Sequence, residues 1–368
     1  MVDIYYYKSM NDKKTNKKVI VTGCTGQDGS YMCEYLLENT DYTVLGGIRR
    51  TSQAIMGNLK NCVGNPRFKL VPLELTDSHS ITTLIKNEKP DYFINFGASS
   101  FVADSWNQPH FTMEANATSL IHILEAIRHY SPECKFYSAG SSEQWGDVKY
   151  SPQDEKHPFS PRSVYGVSKC CASLLCKVYR ESYNIIAIHG ILTNHESPRR
   201  QLHFVTRKVT SGVANISAAI KNNSSFNPIL LGNVNSKRDW SHSKDFIDGI
   251  WRMLNQDKYR KNFDKNIATN WNNYVLSSTE THSIRELVET AFSCVNISGN
   301  WSGNDTDEEF ITSDGKVLVS IDPKFYRPAD VNLLLGDSTL ARKELGWAPT
   351  YDFKKLISEM VQYDVSQL

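Results

Sequence analysis

Four side chains in the middle of the sequence have the types and spacing for proton chemistry. Tyr165 and Lys169 stand four residues apart in Tyr165-Gly166-Val167-Ser168-Lys169, a separation that puts two residues on one face of a helix. A phenol normally gives up its proton near pH ~10, and a neighbouring ammonium favours the phenolate. A tyrosine so placed can act as a general base towards a hydroxyl. Upstream, the stretch Ser138-Ala139-Gly140-Ser141-Ser142-Glu143-Gln144-Trp145-Gly146 carries one hydroxyl at Ser141 that can bind a reacting oxygen, and a single carboxylate, Glu143, that can serve as a second base. Taken alone, each has a plainer reading: any exposed helix can carry a Tyr/Lys pair, and Glu143 can be a solvated loop acid. The elements around them have to decide.

Those elements alternate. Lys18–Thr22, Tyr42–Ile48, Phe68–Leu73, Asp91–Phe96, Cys134–Ser138 and Ile185–His189 read as strands. Between them, Gln27–Asn39, a segment capped near Asp77 or Ser78, Phe111–Tyr130 and Ser163–Tyr183 read as amphipathic helices. Repeated strand–helix alternation predicts an α/β, Rossmann-type doubly wound parallel sheet. Beyond residue 194 the pattern loosens, with short strand candidates at Ile229–Leu231, Tyr274–Ser277 and Lys316–Val319. Helices are expected over Phe204–Ala219, Lys244–Asn255, Ser283–Phe292, Ser338–Leu345 and Phe353–Tyr363. The expected division is a polar tail over 1–18, a dinucleotide-binding domain over 19–194 completed by parts of 235–280, and a smaller mixed α/β C-terminal substrate domain over 195–368.

The turn between the first strand and first helix reads VTGCTGQDGS, with Gly23, Gly26 and Gly29 in a GxxGxxG spacing. Glycines there let a backbone approach a pyrophosphate, which faces the helix N-terminus. Twenty residues after Gly29 stands the pair Arg49-Arg50. An acid at that distance would hold a free ribose 2′-hydroxyl; a basic pair suits a 2′-phosphate. NADP is therefore favoured over NAD, and its nicotinamide ring adds a positive charge beside Tyr165. The alternative reading of the pair is a solvated basic turn.

Composition narrows the field. The chain has 368 residues, 40% hydrophobic and 22% charged, with a formal net charge of +1, which gives no general attraction to nucleic acid or anionic membrane. No apolar run approaches a membrane span. The eight cysteines form no CxxC pair and the ten histidines no cluster at ligand spacing, so no metal site is expected and a reduced, cytoplasmic protein is the simplest reading.

The chain resembles the extended short-chain dehydrogenase/reductases, and within them the GDP-mannose 4,6-dehydratase family, over most of residues 19–365. The most telling text is Gly190-Ile191-Leu192-Thr193-Asn194-His195-Glu196-Ser197-Pro198-Arg199-Arg200, followed by Phe204-Val205-Thr206-Arg207-Lys208. Lys237-Arg238-Asp239-Trp240, Glu280-Thr281-His282-Ser283 and Tyr326-Arg327-Pro328 with Leu335-Gly336-Asp337 reinforce it. The resemblance implies that Tyr165, with Lys169 and Ser141, serves oxidation at the sugar C4. It implies that Glu143 then removes the acidified C5 proton, that water leaves from C6, and that the stored hydride returns to C6. The product would be GDP-4-keto-6-deoxy-mannose, on the way to GDP-fucose or another GDP-deoxysugar. It places Gln27, Asp28, Glu74 and Leu75 with the cofactor, alongside the glycines, Arg49, Arg50, Tyr165 and Lys169. It places Asn194 at the diphosphate, Val205 and Lys208 at the guanine, and Arg238, Arg327 and Asp330 with the rest of the nucleotide sugar. A homodimer or homotetramer is implied as well.

Several positions depart from the family: Ser141 where threonine is usual, Trp145 for Tyr or Phe, Thr193 for Phe, Ser99 for Gln, Glu74 for Asp and Asp330 for Glu. Competing readings are a GDP-manno-heptose 4,6-dehydratase, a related nucleotide-sugar epimerase or reductase, and an inactive cofactor-binding scaffold. An epimerase of this fold needs no acid at Glu143.

Overall fold

The computed structural model describes residues 17–49, 57–325 and 333–368. The first half runs β1 (Lys18–Thr22), α1 (Gln27–Asn39), β2 (Thr43–Ile48), β3 (Phe68–Pro72), α2 (Ser78–Glu88), β4 (Tyr92–Asn95), α3 (Asp104–Asn107), α4 (Pro109–Met113), α5 (Ser119–Tyr130), β5 (Lys135–Ala139), α6 (Val164–Tyr183) and β6 (Ala187–Leu192). Shorter pieces follow: β7 (Asn194–Glu196), α7 (Val205–Lys221), β8 (Ile229–Leu231), β9 (Lys237–Arg238), β10 (Trp240–His242), α8 (Ser243–Leu254), β11 (Val275–Leu276), β12 (His282–Ser283) and α9 (Ile284–Ser293). The chain closes with β13 (Asn300–Ser302), β14 (Glu309–Ile311), β15 (Val317–Ile321), β16 (Leu333–Leu334), α10 (Thr339–Leu345) and α11 (Phe353–Ser366).

Seven strands form one sheet in the order β11-β6-β5-β4-β1-β2-β3, every neighbouring pair parallel. Side chains alternate across it, as a strand's period of two requires. Val19, Val21, Tyr92, Ile94 and Tyr137 enter one core, with α1 and α8. Ile20, Phe93 and Phe136 enter the other, with α2, α5 and α6. The expected doubly wound α/β sheet is thus present. Strand order reverses between β1 and β4, so the loops after β1, β4 and β5 open on one crevice at the carboxyl ends of the strands, where ligands bind in such sheets.

A separate core gathers α7, α9 and α11 against the sheet β13-β14-β15-β8. The chain does not divide cleanly in two, however. Phe246, Ile250 and Leu254 of α8, Leu276 of β11, Ala341 and Leu345 of α10, and Trp347 all belong to the α1 face of the first core.

β1 has the limits read from the sequence, Lys18–Thr22, so the tail over 1–18 ends one residue too late, and Lys18 Nζ pairs with Glu88 at 2.8 Å; residues 1–16 lie outside the described residues. Two further details differ from the sequence reading. The helix expected over Phe111–Tyr130 starts at Pro109 and carries a π turn over Glu114–Thr118. In that turn Asn116 accepts from Ser99 N (2.8 Å) and donates to Ser99 O (3.0 Å) and Ser168 Oγ (3.1 Å). The π turn thereby ties the crevice loop after β4 to α6. The hairpin β13–β14 and strands β7, β9, β10, β12 and β16 were not expected at all.

Candidate active site

The turn after β1 is shaped by its glycines. Gly23 has φ +63°, and a Cβ there would sit 3.0 Å from the Phe96–Gly97 backbone. Gly26 N donates to Gly23 O at 2.9 Å, closing the turn. A Cβ on Gly29 would lie 2.3 Å from Gly23 O, so only glycine lets the first turn of α1 pack onto the loop. At Gly26 an added Cβ would meet nothing but Gly23 O, at 3.2 Å. A packed underside and an open upper face at a helix N-terminus, whose first amides have no partner within the helix, fit a pyrophosphate.

Gln27 and Asp28 were expected to serve the cofactor, but their side chains engage the chain itself. Gln27 Nε2 donates to His195 O (3.0 Å), and Ser197 Oγ donates to Gln27 Oε1 (2.7 Å). Asp28 Oδ2 lies 2.9 Å from His195 Nε2, and Ser243 Oγ donates to Asp28 Oδ1 at 2.6 Å. Burial works against the Asp28 charge, yet the His195 cation beside it holds the carboxyl well below the usual range. Burial likewise works against the His195 charge, and Asp28 outweighs it, so the imidazole is raised. Arg199 completes the clamp, donating to Ser30 Oγ (3.0 Å) and Glu34 Oε1 (2.7 Å). The loop carrying Asn194 is thereby fixed to α1.

Of the other residues expected at the cofactor, Arg49 is exposed just after β2, and Arg50 lies outside the described residues. Glu74 Oε1 accepts from Thr76 Oγ1 at 3.1 Å. Leu75 Cδ1 would touch a Cβ on Gly97 at 2.5 Å, so Leu75 lies across the same crevice wall as Gly23.

The structure brings Ser141, Glu143, Tyr165 and Lys169 together. β5 ends in a short 3-10 turn over Ser142–Gln144, capped by Ser141, whose Oγ accepts from Glu143 N at 3.2 Å. α6 is capped by Ser163, which accepts from Gly166 N at 3.0 Å, and its first turn lies against the Glu143 carbonyl: a Cβ on Gly166 would be 2.7 Å from Glu143 O. Tyr165 is 8% exposed and Lys169 6%. Burial pushes the Tyr165 phenol up to about 12; the neighbouring Ser141 hydroxyl pulls the other way and the nearby Glu143 charge adds to the rise. This departs from the expected lowering by Lys169. The ammonium lies 5.5 Å from the Tyr165 ring centroid but donates to Ala139 O at 2.7 Å, and burial lowers it to about 8.

The residues expected at the substrate are spread over three elements. Asn194 is in β7, opposite Trp240 of β10. Val205 opens α7, and Lys208 Nζ lies 3.4 Å from the Phe325 ring centroid. Arg238 is in β9, where its Nη1 donates to Lys237 O at 2.8 Å. Arg327 and Asp330 lie outside the described residues. The sequence reading missed Arg200. Its guanidinium carbon lies 3.5 Å from the Phe204 ring centroid, its Nε is 3.1 Å from Glu196 Oε2, and its charge acts on the Tyr165 phenol. The only signal was its place in the text already singled out. No group of His, Cys, Asp and Glu suited to a metal occurs among the described residues.

A family model described as GDP-mannose 4,6 dehydratase matches residues 20–360. The GDP-mannose 4,6-dehydratase of Vibrio cholerae is 39% identical over 96% of this chain and 95% of its own. The GDP-mannose 4,6 dehydratase of Homo sapiens is 37% identical over 96% and 92%. Among solved structures, UDP-glucuronic acid 4-epimerase from Bacillus cereus, with UDP-glucuronic acid and NAD, aligns with a TM-score of 0.76 at 20% identity over 95% of this chain and 100% of its own. The dTDP-glucose 4,6-dehydratase of Bacillus anthracis, in complex with NAD, aligns with a TM-score of 0.73 at 19% identity over 94% and 96%. The crevice glycines and the four side chains at the ends of β5 and α6 therefore sit in the fold of these two enzymes, and the chain belongs to the GDP-mannose 4,6-dehydratase family.

Proposed function

We propose that this protein is a hydro-lyase that converts GDP-mannose to GDP-4-keto-6-deoxy-mannose and water, with NADP as a cofactor regenerated in each turnover. The observation that carries this is the single carboxylate, Glu143, whose N–H donates to Ser141 Oγ and whose charge acts on the Tyr165 phenol. NADP, when bound, would supply the hydride acceptor for C4 and the hydride donor for C6. Tyr165 takes the C4 hydroxyl proton, with Ser141 Oγ bonded to the same oxygen. The Arg200 guanidinium favours the phenolate that this requires, and Lys169, held at Ala139 O, lies beside the Tyr165 ring. Once C4 is a ketone, its C5 proton is acidic; Glu143 takes that proton and gives it to the departing C6 hydroxyl. The proton held by Tyr165 balances the new hydrogen at C5. Burial of the site strengthens each of these charge interactions.

Gly23, Gly26 and Gly29 cradle the pyrophosphate, and Arg49 with Arg50 meets the 2′-phosphate. Asn194, Val205, Lys208, Arg238, Arg327 and Asp330 hold the GDP-sugar. A homo-oligomer, dimer or tetramer, is supported by Val167, Leu174 and Val178, an exposed apolar stripe on α6 at the i, i+7, i+11 spacing of one helix face. Eight free cysteines suit the cytoplasm. No helix among the described residues is long and apolar enough to cross a membrane.

The test is to incubate the purified protein with GDP-mannose and a trace of NADP and weigh the product. A product lighter by one water, with no net cofactor consumed, is expected; a product of unchanged mass would replace this function with epimerisation. Glu143→Gln should bind GDP-mannose as before and lose roughly 10²–10⁴-fold in kcat, the usual contribution of a general base.

A further inference from the structure

Beneath the turn that carries Glu143 lies a buried polar chain that the reaction itself does not use. His189, on β6, and Gln144 are both fully buried, and Ser138 nearly so. His189 Nε2 is 2.8 Å from Gln144 Oε1, and Nδ1 is 3.3 Å from Ser138 Oγ. An amide oxygen only accepts, so Nε2 carries the hydrogen and Nδ1 accepts from the serine. The ring is neutral: burial, with the Lys169 and Arg180 charges adding to it, lowers its pKa to about 3. It also forms the floor under Gly140, where a Cβ would lie 2.4 Å from His189 Nε2.

Gln144 is held from other sides too. Its carbonyl accepts from Ser160 N (3.2 Å) and Cys170 Sγ (3.6 Å), and its own N–H donates to Ser141 O (3.2 Å). Yet its side-chain Nε2 finds no hydrogen-bond partner among the described residues. A buried, half-satisfied amide costs stability that an apolar side chain of similar size would not, so stability alone does not account for the pair.

We infer that His189, through Gln144, is a positioning residue that sets where the Glu143 carboxylate points, and so governs the elimination step separately from oxidation at C4. The separation follows from the anchors. Tyr165 and Lys169 ride on α6, whereas Glu143 sits in the turn after β5, its N–H bonded to Ser141 Oγ. Glu143 is joined to the His189 floor through the next residue. A displacement of about 1 Å of a reacting group costs on the order of 10²-fold in rate, which sets the scale of the effect expected when the floor is removed.

This inference rests on the function proposed above, and the experiment keeps the two apart. Wild type, His189→Asn, Gln144→Leu and the double variant are compared for kcat, for KM of GDP-mannose, and for enzyme-bound sugar in rapid quench analysed by mass. Expected are a loss of about 10- to 100-fold in kcat at unchanged KM, bound sugar lacking two hydrogens in place of product lacking water, and a double variant no slower than the worse single one. In the protein without ligands, histidine nitrogen resonances should show one neutral ring protonated at Nε2, unchanged from mildly acidic to mildly alkaline pH and absent in His189→Asn. If His189→Asn fails to fold, Gln144→Leu, which refills the site with apolar volume, carries the same prediction. Wild-type kcat in both variants overturns the inference, as does a proportional fall of both chemical steps. A wild type that does not dehydrate GDP-mannose overturns the proposed function instead.

Discussion

The ion pair between Asp28 and His195 predicts a stability change with a definite pH signature. His195 Nδ1 faces the Thr193 carbonyl at 2.9 Å and Nε2 faces Asp28 Oδ2 at 2.9 Å. Both partners only accept, so both nitrogens carry hydrogen and the ring is a cation. In Asp28→Asn the ring is free to drop its proton and keep the Thr193 bond, so a buried charge is not stranded. The cost is then that of one charge-assisted hydrogen bond, about 1.5–3 kcal/mol, and not the roughly 3–5 kcal/mol of an orphaned buried charge. His195 is raised in the folded state. Its contribution is therefore complete below the ordinary histidine value of ~6.5 and is lost as pH rises through the raised one. Asp28 is lowered, so its contribution is present above the ordinary carboxyl value of ~3.9 and is lost only in stronger acid. Urea unfolding of wild type and Asp28→Asn should differ by about 1.5–3 kcal/mol near pH ~6, and the gap should narrow in alkaline solution. A gap that is absent, or equal at both pH values, would refute the assignment of a cation to His195.

Three further outcomes follow from the same site. Gly29→Ala places a Cβ 2.3 Å from backbone at Gly23; the turn must open, lowering stability by about 1–3 kcal/mol and weakening dinucleotide binding in a fluorescence titration. The kcat/KM profile should fall above pH about 8, where burial leaves the Lys169 ammonium ready to lose its proton; a profile flat through that region would remove Lys169 from the proton chemistry. Leu174→Glu, placing a charge on a residue 54% exposed in the α6 stripe, should shift the species seen in analytical ultracentrifugation towards monomer while leaving the melting temperature of that monomer nearly unchanged. An unaltered assembly would move the interface elsewhere.

The features legible in the sequence are those written in a few consecutive residues. The glycine turn, the α1 boundaries and the Tyr165–Lys169 pair needed only local spacing, and the structure gives α1 its expected limits, Gln27–Asn39. The strand-by-strand α/β alternation was legible for the same reason. Strands of two or three residues, such as β9, β12 and β16, are too short to show a period, and they exist because of partners far away in the chain. The π turn at Asn116 escaped because one extra residue in a turn barely disturbs a helical pattern. The His195–Asp28 pair joins positions 167 residues apart, and no local rule connects them. The Tyr165 expectation failed on energetics: the pairing with Lys169 was read correctly as one helix face, but the contest between burial and a nearby cation depends on depth, and Lys169 spends its hydrogen bond on Ala139.

The return of α8, β11 and α10 to the first core has a consequence for how the protein is made. Until residues near Leu276 have left the ribosome, the growing sheet lacks its outermost strand beside β6, and the last cover of the same core, Ala341, Leu345 and Trp347, arrives later still. The half built on β1 to β6, though first to be synthesised, is thus among the last parts to be finished, and a gene cut after residue 194 would encode a fragment with a bare strand edge prone to self-association.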